Sequence, residues 1–228
     1  MSIARCTLAA LTLAATLPAS AATYGLVADW NGGPNPNGAW SFLSGSTLLP
    51  YWASMAPLSG SAGYAPSPNT GAFLPVFWQP GGSGTDIAVH SYDGFNGAGG
   101  SGEAVLSWTS PITGTIDLSG YFYYGQPSLQ RSNDVTVMLG ASTLLSTAVS
   151  FAQHQDYANR YSFALDDLAV TAGQTLSISF YRSAGYSPGT VTMMDITVVA
   201  EPVPEPATYA LMLGGLALVG WLGRRRLI

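Results

Sequence analysis

Apolar residues in the second half of the chain recur at every other position, the spacing of a strand with one buried face. Ala104, Leu106 and Trp108 alternate with more polar neighbours, and after a turn at Ser110-Pro111 the even positions Ile112, Ile116, Leu118, Phe122 and Tyr124 face one way. Thr113, Thr115, Asp117, Ser119, Tyr121 and Tyr123 then face the other. Val135, Val137 and Leu139 predict another strand, which turns at Gly140-Ala141 into Leu144-Leu145. Leu176, Ile178 and Phe180 predict one more, entered through Thr171-Ala172-Gly173-Gln174. Asp166-Asp167 reads as the polar end of a strand from Tyr161 to Leu165. In the last strand the apolar set moves from Val191 and Met193 to Ile196 and Val198, which predicts a β-bulge near Met194-Asp195.

The first half is less regular. Asn31 to Gly38 is a turn-rich loop after which Ala39 to Phe42 starts a strand, Ser54 to Gly71 is loop-like, and a strand at about Asp86 to Tyr92 lies between two glycine-rich connections. No amphipathic helix exceeds a turn or two. Residues 23–200 therefore read as one all-β domain of two packed antiparallel sheets, a β-sandwich.

Both ends break this pattern. From Ala207 to Gly223 no side chain is charged, and Leu211, Met212, Leu213, Leu216, Leu218, Val219, Trp221 and Leu222 make the segment apolar on every side, as lipid requires. As a helix it would extend about 25 Å, slightly short of a hydrocarbon core of about 30 Å. Tyr209 and Trp221 sit near its two ends, and Arg224, Arg225 and Arg226 place the C-terminus in the cytoplasm by the positive-inside rule. The competing reading, a buried C-terminal helix of a soluble domain, has to explain three adjacent arginines after a uniformly apolar helix. At the other end Arg5 precedes an apolar run from Cys6 to Leu17, and then Pro18, Ala19, Ser20 and Ala21 give the small-x-small pattern of a secretory cleavage site. The expected cut follows Ala21 or Ala22, which makes signal peptidase a partner and residues 1–22 a signal peptide.

Composition narrows the function. Of 228 residues 8% are charged, with 27 Gly and 15 Pro; the roughly 180 residues between the end segments are enough for one packed core. Four of the seven basic residues lie in the end segments as Arg5 and Arg224 to Arg226, and there is no lysine. Arg131, Arg160 and Arg182 are left among nearly all the acids, so nucleic acid is a poor partner. The one cysteine, Cys6, leaves with the signal, so disulfides and thiol chemistry are excluded from the mature chain.

Pro204-Glu205-Pro206, the short apolar helix and the arginine cluster resemble the PEP-CTERM sorting signal of Gram-negative bacteria that make extracellular polysaccharide. The resemblance covers residues 201–228. It implies recognition of Pro204, Glu205 and Pro206 by exosortase, a polytopic membrane enzyme with a catalytic cysteine, and a temporary anchor in the inner membrane with the domain outside. Release to the cell surface or medium would follow. Asn35 to Ser41, Val105 to Pro111 with Gly114-Thr115-Ile116, and Val170 to Leu176 are similar in order to the jelly-roll ectodomains of such proteins, some of which resemble carbohydrate-binding sandwiches.

Candidate chemistry is sparse. Exposed aromatic faces stack on sugar rings; Tyr121 and Tyr123 are the leading candidates because alternation puts both on the polar face of their strand. Trp30, Trp40, Tyr51, Trp52 and Trp78 are additions, most of which the usual burial of Trp assigns to packing. Asp93, Asn96 and Glu103 around a glycine-rich loop could hold calcium, although turn chemistry is the simpler account of them. His90 and His154 are the only histidines, with no His-Glu-x-x-His pattern and no Gly-x-Ser-x-Gly elbow. The sequence thus points to a non-catalytic binding or structural protein of the cell envelope, without cofactor or metal and associated with exopolysaccharide; the alternative is a secreted polysaccharide hydrolase.

Overall fold

The computed structural model describes residues 20–81, 85–92, 103–186, 188–203 and 212–220. Ala21–Glu201 form one compact unit. Of a second unit, Met1–Ser20 with Pro202–Ile228, only Ser20, Pro202, Val203 and residues 212–220 are described.

The strands run in chain order as β1 Ala22–Gly25, β2 Trp40–Ser44, β3 Thr47–Leu48, β4 Tyr51–Trp52, β5 Gly63–Tyr64, β6 Val76–Trp78 and β7 Ile87–His90. They continue as β8 Ala104–Thr109, β9 Gly114–Tyr124, β10 Ser132–Leu139, β11 Ser142–Ser150, β12 Tyr161–Val170, β13 Thr175–Arg182 and β14 Val191–Pro202. A single helical turn, α1 Leu26–Asp29, follows β1. One sheet has the order β12-β9-β14-β7-β6-β5-β4 with β1 also on β14; the other has the order β11-β10-β13-β8-β2-β3. The chain crosses between the sheets from β1 to β2, β3 to β4, β7 to β8, β8 to β9, β9 to β10, β11 to β12, β12 to β13 and β13 to β14. The expected all-β, jelly-roll-like antiparallel sandwich is the fold.

The core lies between the sheets because the alternation puts one face of each strand there. On β9, Ile116, Leu118, Phe122 and Tyr124 are buried and the odd positions less so, as their spacing predicts. Phe180 of β13 meets Phe77 of β6 and Phe122 of β9 edge-on, at ring-centre distances of 6.5 and 5.9 Å, so one ring joins three strands across the two layers. A polar tie closes one end of the sandwich. Asn133 of β10, fully buried, accepts from Ser91 Oγ at 2.7 Å and donates to the Thr190 carbonyl at 2.9 Å and to Thr192 Oγ1 at 3.1 Å.

Three expectations need correction. No bulge is needed near Met194-Asp195: β14 pairs β7 without a register shift from Val191 to Met194, and Thr192, Met194, Ile196, Val198 and Ala200 are all buried. What changes along the strand is residue type, since Thr192 takes an inward place by bonding to Asn133 and Met193 faces outward. A bulge does occur at Asp166-Asp167. The strand continues through this pair to Val170, the register with β9 shifts between Leu165 and Leu168, and Asp167 has a φ of 56° with its N–H donating to Asp117 Oδ1 at 2.9 Å. Charge and bulge together sit on β12, an edge strand, where they discourage further pairing. The segment from Ser54 to Gly71 holds the strand β5 and a 3-10 turn at Ala56–Leu58. With residues 73–76 it covers part of the outer face of the first sheet, where Met55, Ala65, Leu74 and Val76 form a second, smaller core.

Candidate functional site

The outer face of β9 carries the site. Tyr121 and Tyr123 leave the strand on the side opposite the core, with ring centres 6.3 Å apart and planes 27° apart. Tyr121 donates its hydroxyl to Asp86 Oδ1 at 2.8 Å, and Tyr123 donates to Asp86 Oδ2 at 2.7 Å. Asp86 immediately precedes β7, and β14 lies between β9 and β7. Since two strand spacings are roughly 10 Å, the paired rings must lie over β14 to reach it. One carboxylate therefore fixes the direction of two rings.

The β11–β12 connection adds to this pair. Asp156 Oδ1 accepts from the Asn159 main chain and side chain, both at 2.9 Å, and holds a turn that brings Tyr157 forward. Tyr157 is 51% exposed and stands at 90° to Tyr121 and 87° to Tyr123, with centre distances of 5.5 and 5.7 Å. The Arg160 Cζ lies 4.3 Å from the Tyr157 ring centre and 5.4 Å from that of Tyr121, and its Nη1 donates to the Tyr157 carbonyl at 2.9 Å. Cation and rings attract through the ring quadrupoles. Beside Tyr123 opens a cleft of about 620 Å³, with Phe151, Pro80 and Met193 as apolar lining and Gln155 and Asp156 as polar lining.

Burial, then the hydroxyl bond to Asp86 and the charge of that carboxylate, raise the pKa of Tyr121 and Tyr123 far above the usual phenol value. Both stay protonated donors at any physiological pH. Asp195, on the outer face of β14, also has a raised pKa, mainly because it is buried; its Oδ1 accepts from the N–H of Val27 in α1 at 3.3 Å. The arrangement offers aromatic faces, one guanidinium and hydrogen-bonding groups. Among the described residues of this arrangement no nucleophile is paired with a base, and His154 Nδ1 donates to the Asn159 carbonyl.

Other sequence candidates have different places. Trp40 is buried at 2% exposure, Trp30 packs edge-on against Phe42 and Tyr64, and Trp52 Nε1 donates to the Ala65 carbonyl. Tyr51 tilts against Tyr64, and Trp78 lines a second cleft. These rings are packing residues; Trp78, packed against the second core, also lines that cleft. Asp93 and Asn96 lie outside the described residues; among those described, no group of His, Cys, Asp or Glu is placed to hold a metal ion. Ala19, Pro204, Glu205, Pro206 and Arg224 to Arg226 also lie outside them, whereas Ala21 precedes β1 and Ala22 begins it.

The C-terminal segment is decided by comparison with known families. Residues 202–226 match the model of the PEP-CTERM protein-sorting motif. The chain carries a PEP-CTERM sorting signal. That signal implies export and exosortase processing at the membrane. Of the apolar part of the PEP-CTERM segment, residues 212–220 are described and are helical. No helix among the described residues is long and apolar enough to cross a membrane; positions 207–211 and 221–223 of the expected span lie outside them.

No curated protein matches the chain. Among solved structures it is similar to the K3 adhesin domain of Lys-gingipain from Porphyromonas gingivalis, at 15% identity and a TM-score of 0.43, covering 71% of this chain and 91% of that one. It is also similar to a CBM35 from Paenibacillus barcinonensis, at 12% identity and a TM-score of 0.31, covering 78% and 98%. At such scores neither likeness assigns a ligand or an activity to this chain.

Sequence reasoning found Tyr121 and Tyr123 but not Asp86, Tyr157 or Arg160. Asp86 reads as one more polar residue before a strand, and Tyr157 and Arg160 fall in a loop with no periodicity. An exposed aromatic next to one of the few arginines of the exported part was the signal available.

Proposed function

We propose that this chain is an exported, exosortase-processed, non-catalytic glycan-binding protein of the cell envelope, and that Tyr121, Tyr123 and Tyr157 form its sugar-binding platform. The observation that carries the reading is the double hydroxyl bond to Asp86. It orders two rings on the outer face before any ligand arrives, so little side-chain entropy remains to be lost on binding. Pyranose rings stack on such faces, and Arg160, Gln155 and Asp156 stand close enough to serve sugar hydroxyls.

The export route follows the same reading, with residues 1–22 a signal peptide removed by signal peptidase after Ala21 or Ala22 and residues 207–223 a temporary membrane helix. The compact unit runs from Ala21 to Glu201, so a cut after Ala21 leaves every residue of β1 in place and a cut after Ala22 removes only its first. Met212, Leu213, Leu216 and Val219 are each at least 60% exposed on the 212–220 helix, which supports lipid as their solvent. Arg224 to Arg226 would then face the cytoplasm.

The test is a glycan array with the purified chain and a Tyr121→Ala/Tyr123→Ala variant, alongside an assay for reducing-sugar release. Binding by the parent, loss in the variant and no sugar release are expected. Equal binding by both would remove the platform, and release of reducing sugar would replace a binding role with hydrolysis. For the export route, replacing Pro204, Glu205 and Pro206 with Ala is expected to leave the full-length form in the membrane fraction; unchanged processing would remove exosortase from the account.

A further inference from the structure

A second cleft, of about 510 Å³, opens on the same outer face of the first sheet, beyond the 125–131 connection. Its floor is a cross-strand row: Val76, His90 and Val191 stand opposite one another on β6, β7 and β14, with Trp78 two residues along from Val76. Leu58 and Phe73 make one wall, and Leu129 and Arg131 the other. The volume is within the range of small-molecule sites, roughly 300–1,000 Å³.

Charge sets this cleft apart. The chain has 12 acidic residues, and four of its seven basic ones are Arg5 and Arg224 to Arg226, so the exported part is strongly acidic. Yet no Asp or Glu is among the described residues that line the cleft, and Arg131 is. Arg131 Nη1 donates to the Gly189 carbonyl at 2.9 Å, which fixes the guanidinium, and no carboxylate among the described residues pairs with it. Gln126 spends its carbonyl oxygen on Thr190 Oγ1 at 2.8 Å and on the Val191 N–H at 3.2 Å, which leaves its amide N–H groups for the cleft. The remaining N–H groups of Arg131 and Gln126, set beside an aromatic ring, match an anionic oxygen group on a ring of its own. The guanidinium N–H groups not spent on Gly189 can donate to the oxygens of a carboxylate.

The geometry points to a carboxylate-bearing sugar residue in this cleft, its carboxylate on Arg131 and its ring face on Trp78. The inference rests on the glycan-binding reading of the tyrosine platform and names the class of polymer, an acidic polysaccharide. Val191 lines this cleft and Met193 lines the one beside Tyr123. The two residues are about 7 Å apart along one face of β14, with the 125–131 connection between the two clefts.

The experiment titrates the purified full-length chain in detergent micelles with a short oligogalacturonate and with a neutral oligoglucoside of the same length, at low and at raised salt. The charged ligand is expected to bind about tenfold more tightly at low salt, the worth of one charge-assisted bond, and to lose that advantage as salt rises. In Arg131→Gln the advantage disappears while neutral binding stays. Leu129→Glu, which leaves Arg131 in place and adds a negative wall, is expected to reverse the preference and carries the test should Arg131→Gln fold poorly. Equal affinity of the parent for both ligands, or an unchanged preference in both variants, overturns the Arg131 inference and leaves the platform standing. Binding of neither ligand overturns both.

Discussion

Asp86 and Tyr121 meet carboxylate to hydroxyl at 2.8 Å across the width of β14, and the second carboxylate oxygen holds Tyr123 in the same way at 2.7 Å. An acid at the start of one strand thereby sets the pose of two aromatic rings that start two strands away.

Asp86→Ala is expected to cost about 2 kcal/mol in urea unfolding, because it strands two half-buried hydroxyls. It should also weaken glycan binding by freeing the rings. Asp86→Asn keeps one acceptor and one donor in place and is expected to cost less than half as much. An Asp86→Ala chain with unchanged stability would show that the hydroxyls find water just as well.

Alkaline pH tests the same bonds. Burial first, and then the Asp86 carboxylate, raise both phenols above their usual 10.0. Groups raised in the folded state contribute stability that is complete below the unfolded pKa and is lost as pH rises through the folded value. Stability is therefore expected to fall as pH rises above about 10, and to fall less steeply in Tyr121→Phe/Tyr123→Phe. Denaturant titrations at stepped pH, read with phenolate absorbance, check this.

Asp195 has the opposite character to a salt-bridged acid. Burial, more than any other cause, raises it from 3.8, and the N–H groups of Val27 and Ile196 only partly offset this. The folded state then holds its proton more tightly than the unfolded chain does, so the group removes stability as pH rises from 3.8 through the folded value. Asp195→Asn, which can still accept from Val27, is expected to be more stable than the parent at neutral pH, with the gain vanishing near pH 3.8. A variant less stable than its parent at neutral pH would contradict this.

Gly120 lies directly before the platform, where a side chain has no room. A Cβ there would sit 2.6 Å from the Asp195 carbonyl oxygen and 2.8 Å from Ile196 Cδ1. Gly120→Ala must move backbone of β14 and is expected to cost about 1–3 kcal/mol, seen as a lower melting temperature. Because Tyr121 follows at once, glycan binding should weaken with it.

Much of this molecule was legible in its sequence. The period-two pattern of Ile116, Leu118, Phe122 and Tyr124 determined which face of β9 is buried and so that Tyr121 and Tyr123 face outward; a strand allows only two faces. Pro204-Glu205-Pro206 with its apolar and arginine-rich sequel carried the sorting signal, which is read locally along the chain. Burial of Thr192 in place of Met193 could not be foreseen, because the hydrogen bonds that make it tolerable come from Asn133 in the other sheet. Nor could the partners of the tyrosines. Asp86 is 35 residues from Tyr121, and nothing in its neighbourhood along the chain marks it. Only the order of strands, with β14 between β9 and β7, brings it within reach of both hydroxyls. Periodicity fixes the direction of a side chain relative to its own strand, whereas the identity of its partner depends on which strands become neighbours, and that is settled by the packing of the whole sandwich.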